Sequence, residues 1–231
     1  MFSNITPVVR NLIILNVVMY IGTVFLAPQL YYDFSLWFFK HPEFDFWQIF
    51  SHMFMHDSRS FMHILFNMYG LLLFGPLLER WMGSNRFIFF YLASGIGAYL
   101  LTTGIDYFQY VQTVAELESK GYSANEIPNI LFTKTSLAVP MVGASGCLFG
   151  VLAGFAYLYP NLKLQLLFIP VPIAAKWLIG AYVAYETLAT IGIINLQDNI
   201  GHAAHLGGAI FGFIMVWYWK RNDYDQYRID N

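Results

Sequence analysis

The sequence is poor in charge and in cysteine. Only 11% of its 231 residues are charged, less than half of the roughly 25% found in an average soluble domain. Its 12 basic and 14 acidic residues give no basic excess of the kind that binds nucleic acid. A single cysteine, Cys147, excludes an internal disulfide and a multi-cysteine metal site. These shortages exclude a disulfide-stabilised secreted scaffold, a disordered chain and a nucleic-acid-binding protein.

Apolar residues dominate instead: 58% of the chain is hydrophobic and 19% is aromatic. A bilayer core of about 30 Å needs about 20 mainly apolar residues per helix. The sequence therefore predicts an all-α polytopic membrane protein, a single domain over residues 1–231 with six membrane-spanning helices. The predicted spans are residues 11–27, 62–81, 87–105, 142–159, 173–194 and 200–219.

The distribution of basic residues predicts the orientation, because Lys and Arg are enriched in short cytoplasmic loops. With the N-terminus inside, the cytoplasmic side holds the larger group: Arg10, Arg80, Arg86, Lys163, Lys220, Arg221 and Arg228. An even number of spans then places both termini in the cytoplasm, and we expect a multi-pass protein of a bacterial inner membrane. The aromatic loop 30–50 is expected in the outer interface of the bilayer, and loop 106–140 in solvent.

Strongly polar residues inside spans are costly and mark candidate functional sites. The second span carries His63 and Asn67 one helical turn apart, the fourth begins near Ser145, and the sixth carries His205. In the predicted orientation these three spans all enter the membrane from the outside. The four side chains are therefore expected at a similar depth in its outer half.

Glycines recur every four residues on the fourth and sixth spans. Gly146 and Gly150 form one such stripe, and Gly208 and Gly212 the other. Small residues at this spacing let two helix backbones approach closely. A serine and a histidine on separate helices can hydrogen-bond only if those helices nearly touch, so the stripes and the polar pair predict the same packing.

This combination indicates nucleophilic catalysis. A serine hydroxyl becomes a good nucleophile when a nearby imidazole takes its proton, and donors such as His63, Asn67 and the backbone around Ser145 would stabilise the oxyanion. No acid looks well placed for a triad, since Asp106 and Asp198 fall in loops and Glu186 lies deep in the fifth span. The sequence therefore favours a Ser–His dyad, with no metal and no cofactor.

Three segments resemble the signature motifs of rhomboid intramembrane serine proteases: Gly143-Ala144-Ser145-Gly146, Ala204-His205-Leu206-Gly207-Gly208 and His63-Ile64-Leu65-Phe66-Asn67. The resemblance extends over about residues 10–220. It implies a six-helix rhomboid-like bundle with Ser145 as nucleophile and His205 as base, His63 and Asn67 assisting at the oxyanion and Phe149 packing on the base. It also implies an endopeptidase that cleaves in or near transmembrane segments of membrane-protein substrates. Where the family's first loop often has Trp-Arg, this chain has Trp47-Gln48.

Three alternatives remain at this point. A six-span transporter or channel would also bury polar groups, but it should show a polar path across the whole membrane. A catalytically silent rhomboid-like binding protein would keep the fold and typically lack the serine or the histidine. A metalloprotease using His52, His56 and His63 is less favoured, since no Glu lies between them as in His-Glu-x-x-His.

Overall fold

The chain folds into nine α-helices and one short hairpin within the residues that the computed structural model describes, 5–166, 169–194 and 201–226. The helices are α1 (Pro7–Ile21), α2 (Leu30–Phe34), α3 (Gln48–Ser51), α4 (Phe61–Met82), α5 (Ser84–Ser119), α6 (Ile127–Lys134), α7 (Ser145–Leu158), α8 (Ala175–Thr190) and α9 (His202–Gln226). A π-helical turn, Gly22–Leu26, continues α1, and 3-10 turns lie at His52–Phe54 and Ser136–Ala138. Strand β1 (Lys163–Leu166) pairs antiparallel with β2 (Ile169–Ala174).

Three helical stretches are long and apolar enough to cross a membrane: Pro7–Leu26, Phe61–Met82 and Ser84–Ser119. They overlap the first three predicted spans and make the chain an integral membrane protein. Helix α7 is apolar but has only 14 residues, and α8 has 16. A count of six spans therefore stays a prediction. The predicted start of the sixth span, residue 200, and Arg228 lie outside the described residues.

The prediction of an all-α protein is wrong between α7 and α8, where β1 and β2 form a two-stranded antiparallel sheet. Its register places Lys163 opposite Ala174 and Leu164 opposite Ile173. The fifth span was predicted to begin inside this hairpin, whereas α8 begins at Ala175. Ile173 and Ala174 do not start the helix because they pair with Leu164 and Lys163 in the sheet.

Helix α5 extends well beyond the predicted end of the third span at residue 105 and stops only at Ser119. The prediction of a loop over residues 106–140 is therefore wrong for its first part, and α6 occupies another part of it. At 1.5 Å per residue α5 is about 54 Å long, more than the thickness of a bilayer core. Its end coincides with Gly121, whose φ of +85° a helix interior does not allow.

The aromatic first loop is held together by Gln48, the residue at which the chain departs from the Trp-Arg that the resemblance implies. Gln48 is 1% exposed, and its amide nitrogen donates to the carbonyl oxygens of Asp33 (3.3 Å) and Glu43 (2.9 Å). Its amide oxygen accepts from the backbone N–H of Trp37 at 3.3 Å. A glutamine thus supplies both the donor and the acceptor that tie three parts of this loop together.

Near the C-terminal end of α4, Glu79 caps the first turn of α1. Its carboxylate accepts from the backbone N–H groups of Val8 (3.1 Å) and Val9 (3.0 Å) and from the hydroxyl of Ser84 (2.7 Å). A carboxylate at a helix N-terminus satisfies unpaired N–H groups and interacts favourably with the helix dipole. The start of α1 and the end of α4 therefore lie on the same side of the bundle.

Helices α5, α7 and α9 pack against one another, and glycines set the distances between them. A Cβ added at Gly208 would lie within van der Waals radii of the Gly146 carbonyl oxygen, and one added at Gly212 would lie 2.4 Å from the Gly150 Cα. On the other side, a Cβ at Gly150 would meet the Ser94 side chain on α5. Real Cβ atoms do not approach backbone this closely, so α7 and α9 touch backbone to backbone.

We expect Gly208→Ala to lower the free energy of unfolding by on the order of 1–3 kcal/mol, because the new methyl group would overpack the contact with Gly146. Gly104→Ala on α5 is the matched control, since nothing lies within 4 Å of the added Cβ; it should be neutral or slightly stabilising. Thermal unfolding in detergent micelles measures both. Equal melting temperatures for the two variants would show that α7 and α9 do not meet at Gly208.

Candidate functional site

The first turns of α4, α7 and α9 meet at one end of the bundle. Helix α7 begins at Ser145, and at this end the N–H of Leu148 donates to the carbonyl of Ala144 at 2.9 Å. The N–H groups in the first turn of a helix have no acceptor within that helix. Those of Ser145, Gly146 and Cys147 therefore point from the start of α7 as donors, beside the hydroxyl of Ser145.

Gly143 adopts a backbone conformation that other residues rarely take, with φ of +124°. A Cβ placed on it would lie 2.8 Å from His63 Nε2 and 3.6 Å from Ser145 Oγ. The imidazole of His63 and the hydroxyl of Ser145 thus border the same small space, which stays open because residue 143 has no side chain. The N–H of Gly143 donates to the carbonyl of His52 at 3.0 Å, which fixes this conformation.

The hydrogen bonds of His63 indicate which of its ring nitrogens faces that space as a donor. The N–H of Asp57 donates to His63 Nδ1 over 3.5 Å. In a neutral ring whose Nδ1 accepts, the hydrogen is on Nε2, and Nε2 is the atom beside Gly143 and Ser145. Asn67 is buried, and its amide donates to the His63 carbonyl at 3.0 Å. Asn67 thus contacts the turn of α4 that carries His63.

His205 lies against the face of α7 that carries Ser145. Its ring stacks on Phe149 with centroids 4.1 Å apart and planes 7° from parallel, and Phe149 is one helical turn after Ser145 on the same face. In the described part of the chain no hydrogen bond joins Ser145 to His205. In unliganded catalytic sites such bonds are often long and tighten only with substrate bound.

Glu186 also belongs to this cluster, contrary to the interpretation that no acid is well placed to complete a triad. It is 1% exposed, its Oε1 lies 3.0 Å from His205 Nδ1, and its Oε2 lies 2.5 Å from His202 Nδ1. Sequence reasoning missed the contact because Glu186 is on α8 and both histidines are on α9. Glu186 and His205 are 19 residues apart in the chain. The available signal was the carboxylate itself, since an acid within an apolar span needs a partner.

His52 and His56 lie in the loop before α4. His52 Nδ1 is 2.8 Å from the carbonyl of Gln48, and the His56 ring lies edge-on to that of His63 with centroids 5.0 Å apart. Burial lowers the pKa of His52 to about 4 and that of His56 to about 3, so both rings are neutral at physiological pH. Over residues 5–166, 169–194 and 201–226, no three His, Cys, Asp or Glu side chains converge to hold a metal ion.

Comparison with known proteins identifies the family. A model of the rhomboid domain matches residues 43–222, which is most of the chain. The chain belongs to the rhomboid family. This match confirms the resemblance that the three sequence motifs indicate.

Three relatives illustrate the range of this rhomboid's similarity. It is 31% identical over 162 residues to Rhomboid protein 1, mitochondrial, of Saccharomyces cerevisiae, covering 70% of this chain and 39% of that protein. It is 29% identical over 160 residues to human presenilin-associated rhomboid-like protein, mitochondrial, covering 69% and 34%. It is 31% identical over 183 residues to Rhomboid protease AarA of Providencia stuartii, covering 74% and 55%.

The rhomboid chain thus spans between about a third and about half of the length of these relatives. Because they include mitochondrial proteins as well as a bacterial one, they do not support the expectation of a bacterial inner membrane.

We expect Gly143→Ala to abolish the reactivity of Ser145 while the bundle stays folded. The new methyl group would meet His63 Nε2 at 2.8 Å and would strain a backbone with φ of +124°. Gly192→Ala is the matched control, because it also has positive φ (+77°) but nothing within 4 Å of the added Cβ. Labelling with a fluorophosphonate measures the result, and full labelling of Gly143→Ala would contradict it.

Proposed function

We propose that this rhomboid is an intramembrane serine endopeptidase that hydrolyses peptide bonds in or near transmembrane segments of other membrane proteins. The observation that carries the proposal is the stacking of His205 on Phe149, one turn from Ser145. Similarity to the bacterial relative, Rhomboid protease AarA, supports the same activity. The proposal includes a six-span bundle in the lipid bilayer, with both termini in the cytoplasm.

In the proposed reaction, His205 takes the proton of Ser145 as Oγ attacks the carbonyl carbon of the substrate. The negative charge on the carbonyl oxygen would be stabilised by His63 Nε2–H and by N–H groups at the start of α7, which border the space at Gly143. The imidazolium then protonates the departing amine. Water releases the acyl group by the same steps, with His205 again as the base.

We expect a fluorophosphonate to label Ser145 of the purified protein. Ser145→Ala should abolish the label by removing the nucleophile, and His205→Ala should reduce it strongly by removing the base. Ser119→Ala should leave labelling intact, because Ser119 is exposed at the far end of α5 and bonds only locally, to Glu116 O. Mass spectrometry of the labelled peptide locates the site.

A folded wild-type protein that takes up no label would favour the alternative, a catalytically silent rhomboid-like protein that binds membrane proteins. Folding is verified by a cooperative thermal transition in detergent, and the reagent by a soluble serine hydrolase in the same tube. Label on another serine would contradict the assignment of Ser145.

We expect cleavage to depend on a helix-destabilising residue in the outer third of the substrate's span. A continuous transmembrane helix keeps its carbonyl groups hydrogen-bonded internally, so Ser145 reaches a scissile carbon only where the helix unwinds. Gly and Pro lower the cost of unwinding. Single-span test proteins with a small residue and a helix breaker in the outer third should be cleaved, as judged by gel shift.

The same residues moved to the inner third, or replaced by Leu, should protect the substrate. Co-expression with Ser145→Ala gives the background from other proteases. Equal cleavage of the outer, inner and all-Leu versions would show that unwinding at the outer face does not govern selection.

A further inference from the structure

We propose that Glu186 is a positioning residue for His205, so that the site works as Ser145–His205–Glu186, with His202 holding the second oxygen of the carboxylate. This inference rests on the proposed protease function and deepens it. In a Ser–His dyad, no acidic side chain accepts the hydrogen bond of the histidine Nδ1–H. In this chain the acceptor is a buried carboxylate on a separate helix, α8.

Two contacts fix the imidazole of His205 in complementary ways. Stacking on Phe149, with planes 7° from parallel, sets the plane of the ring. The contact from Nδ1 to Glu186 Oε1, at 3.0 Å, sets the rotation of the ring within that plane. A carboxylate accepts only, so Nδ1 carries the hydrogen and Nε2 of the neutral ring has its lone pair free. Nε2 is thereby the atom that can take the proton of Ser145.

The carboxylate of Glu186 also stabilises the positive charge that develops on His205. When His205 takes the serine proton it becomes an imidazolium, and Glu186 stands beside it with 1% of its surface exposed. Opposite charges attract more strongly in such surroundings than in water. A group that is in place before the reaction and stabilises charge as it develops lowers the barrier.

His202 holds the carboxylate of Glu186 in place. His202 and His205 are three residues apart on α9 and therefore share a face. His202 Nδ1 lies 2.5 Å from Oε2, so each carboxylate oxygen has its own imidazole partner. The Tyr185 ring stands edge-on to His202 with centroids 5.8 Å apart. Glu186 therefore cannot turn away from His205 without breaking a second contact.

The ionisable groups around His205 come from three helices. Glu186, Tyr182 and Tyr185 are on α8, His202 is on α9 itself, and His63 faces it from α4. Helix α7 contributes the stacked ring of Phe149 and the hydroxyl of Ser145. Glu186 is the acid among these groups.

The test replaces Glu186 by Gln, Asp and Ala and measures kcat, KM and the pH profile of kcat/KM on a cleaved substrate. Glu186→Gln keeps an acceptor but loses the charge, so we expect kcat to fall about 10-fold with little change in KM. The acid limb of the profile should move to lower pH, because the imidazolium form of His205 loses its counter-ion. Glu186→Ala should cost about 10²-fold by also losing the orientation, and Glu186→Asp should recover part of that loss.

Glu79→Gln is the matched control, because Glu79 is also a buried carboxylate but caps α1 at the other end of α4. It should lower the melting temperature without moving the acid limb. If Glu186 had only a structural role, its Gln variant would behave in the same way. An unmoved acid limb together with unchanged kcat in Glu186→Gln and Glu186→Ala would overturn the proposal.

A second measurement separates this inference from the protease function. In Ser145→Ala, which cannot turn over, the Nδ1 proton of His205 should give a strongly downfield NMR signal from its bond to the carboxylate. The signal should be lost when either His205→Gln or Glu186→Gln is added. If wild type neither cleaves nor takes up label, the protease function fails, whereas absence of this signal overturns the role of Glu186 even in an active enzyme.

Discussion

The backbone contact between α7 and α9 is the constraint on which the site depends. Ser145 has the shortest of the polar side chains involved, and the contact of Gly208 with Gly146 sets how closely α9, which carries His205, packs against α7. In lipid, helices associate through close packing of small residues, since the surrounding acyl chains are as apolar as their side chains. The residues that allow the two backbones to touch thus lie one to three positions from the residues proposed to react.

A second set of contacts shapes the space in front of the serine. The first loop pairs with the segment before α7, where Leu36 and Met141 exchange backbone hydrogen bonds of 2.9 and 2.8 Å. Two residues later, Gly143 turns the chain into α7 with the conformation that leaves room beside His63. Gln48 holds the loop from within by binding three of its backbone groups. The loop therefore supports the geometry of the site as well as covering the bundle.

Sequence alone was sufficient where the signal is local or periodic. The first three spans follow from continuous apolar runs, and the motifs around Ser145, His205 and His63 led to the family because they occur together and in order. Features that depend on competing local effects were missed. Ile173 and Ala174 pair with β1 instead of starting α8. Helix α5 continues past the apolar part of its sequence because no proline or glycine stops it between Asp106 and Ser119. Apolarity predicts where a helix lies in a bilayer, whereas helix propensity decides where it ends.

The contact of Glu186 with two histidines shows a different limit of sequence reasoning. A carboxylate in an apolar helix is costly unless it is paired, so its presence predicts a partner without saying which. The partner is specified by how α8 packs on α9, and no spacing within one helix encodes that packing. Once α9 is placed by its glycines, His202 and His205 present one face, and a single acid on α8 meets both rings. The close packing that places His205 against Phe149 of α7 therefore also leaves its Nδ1 against the carboxylate that α8 carries.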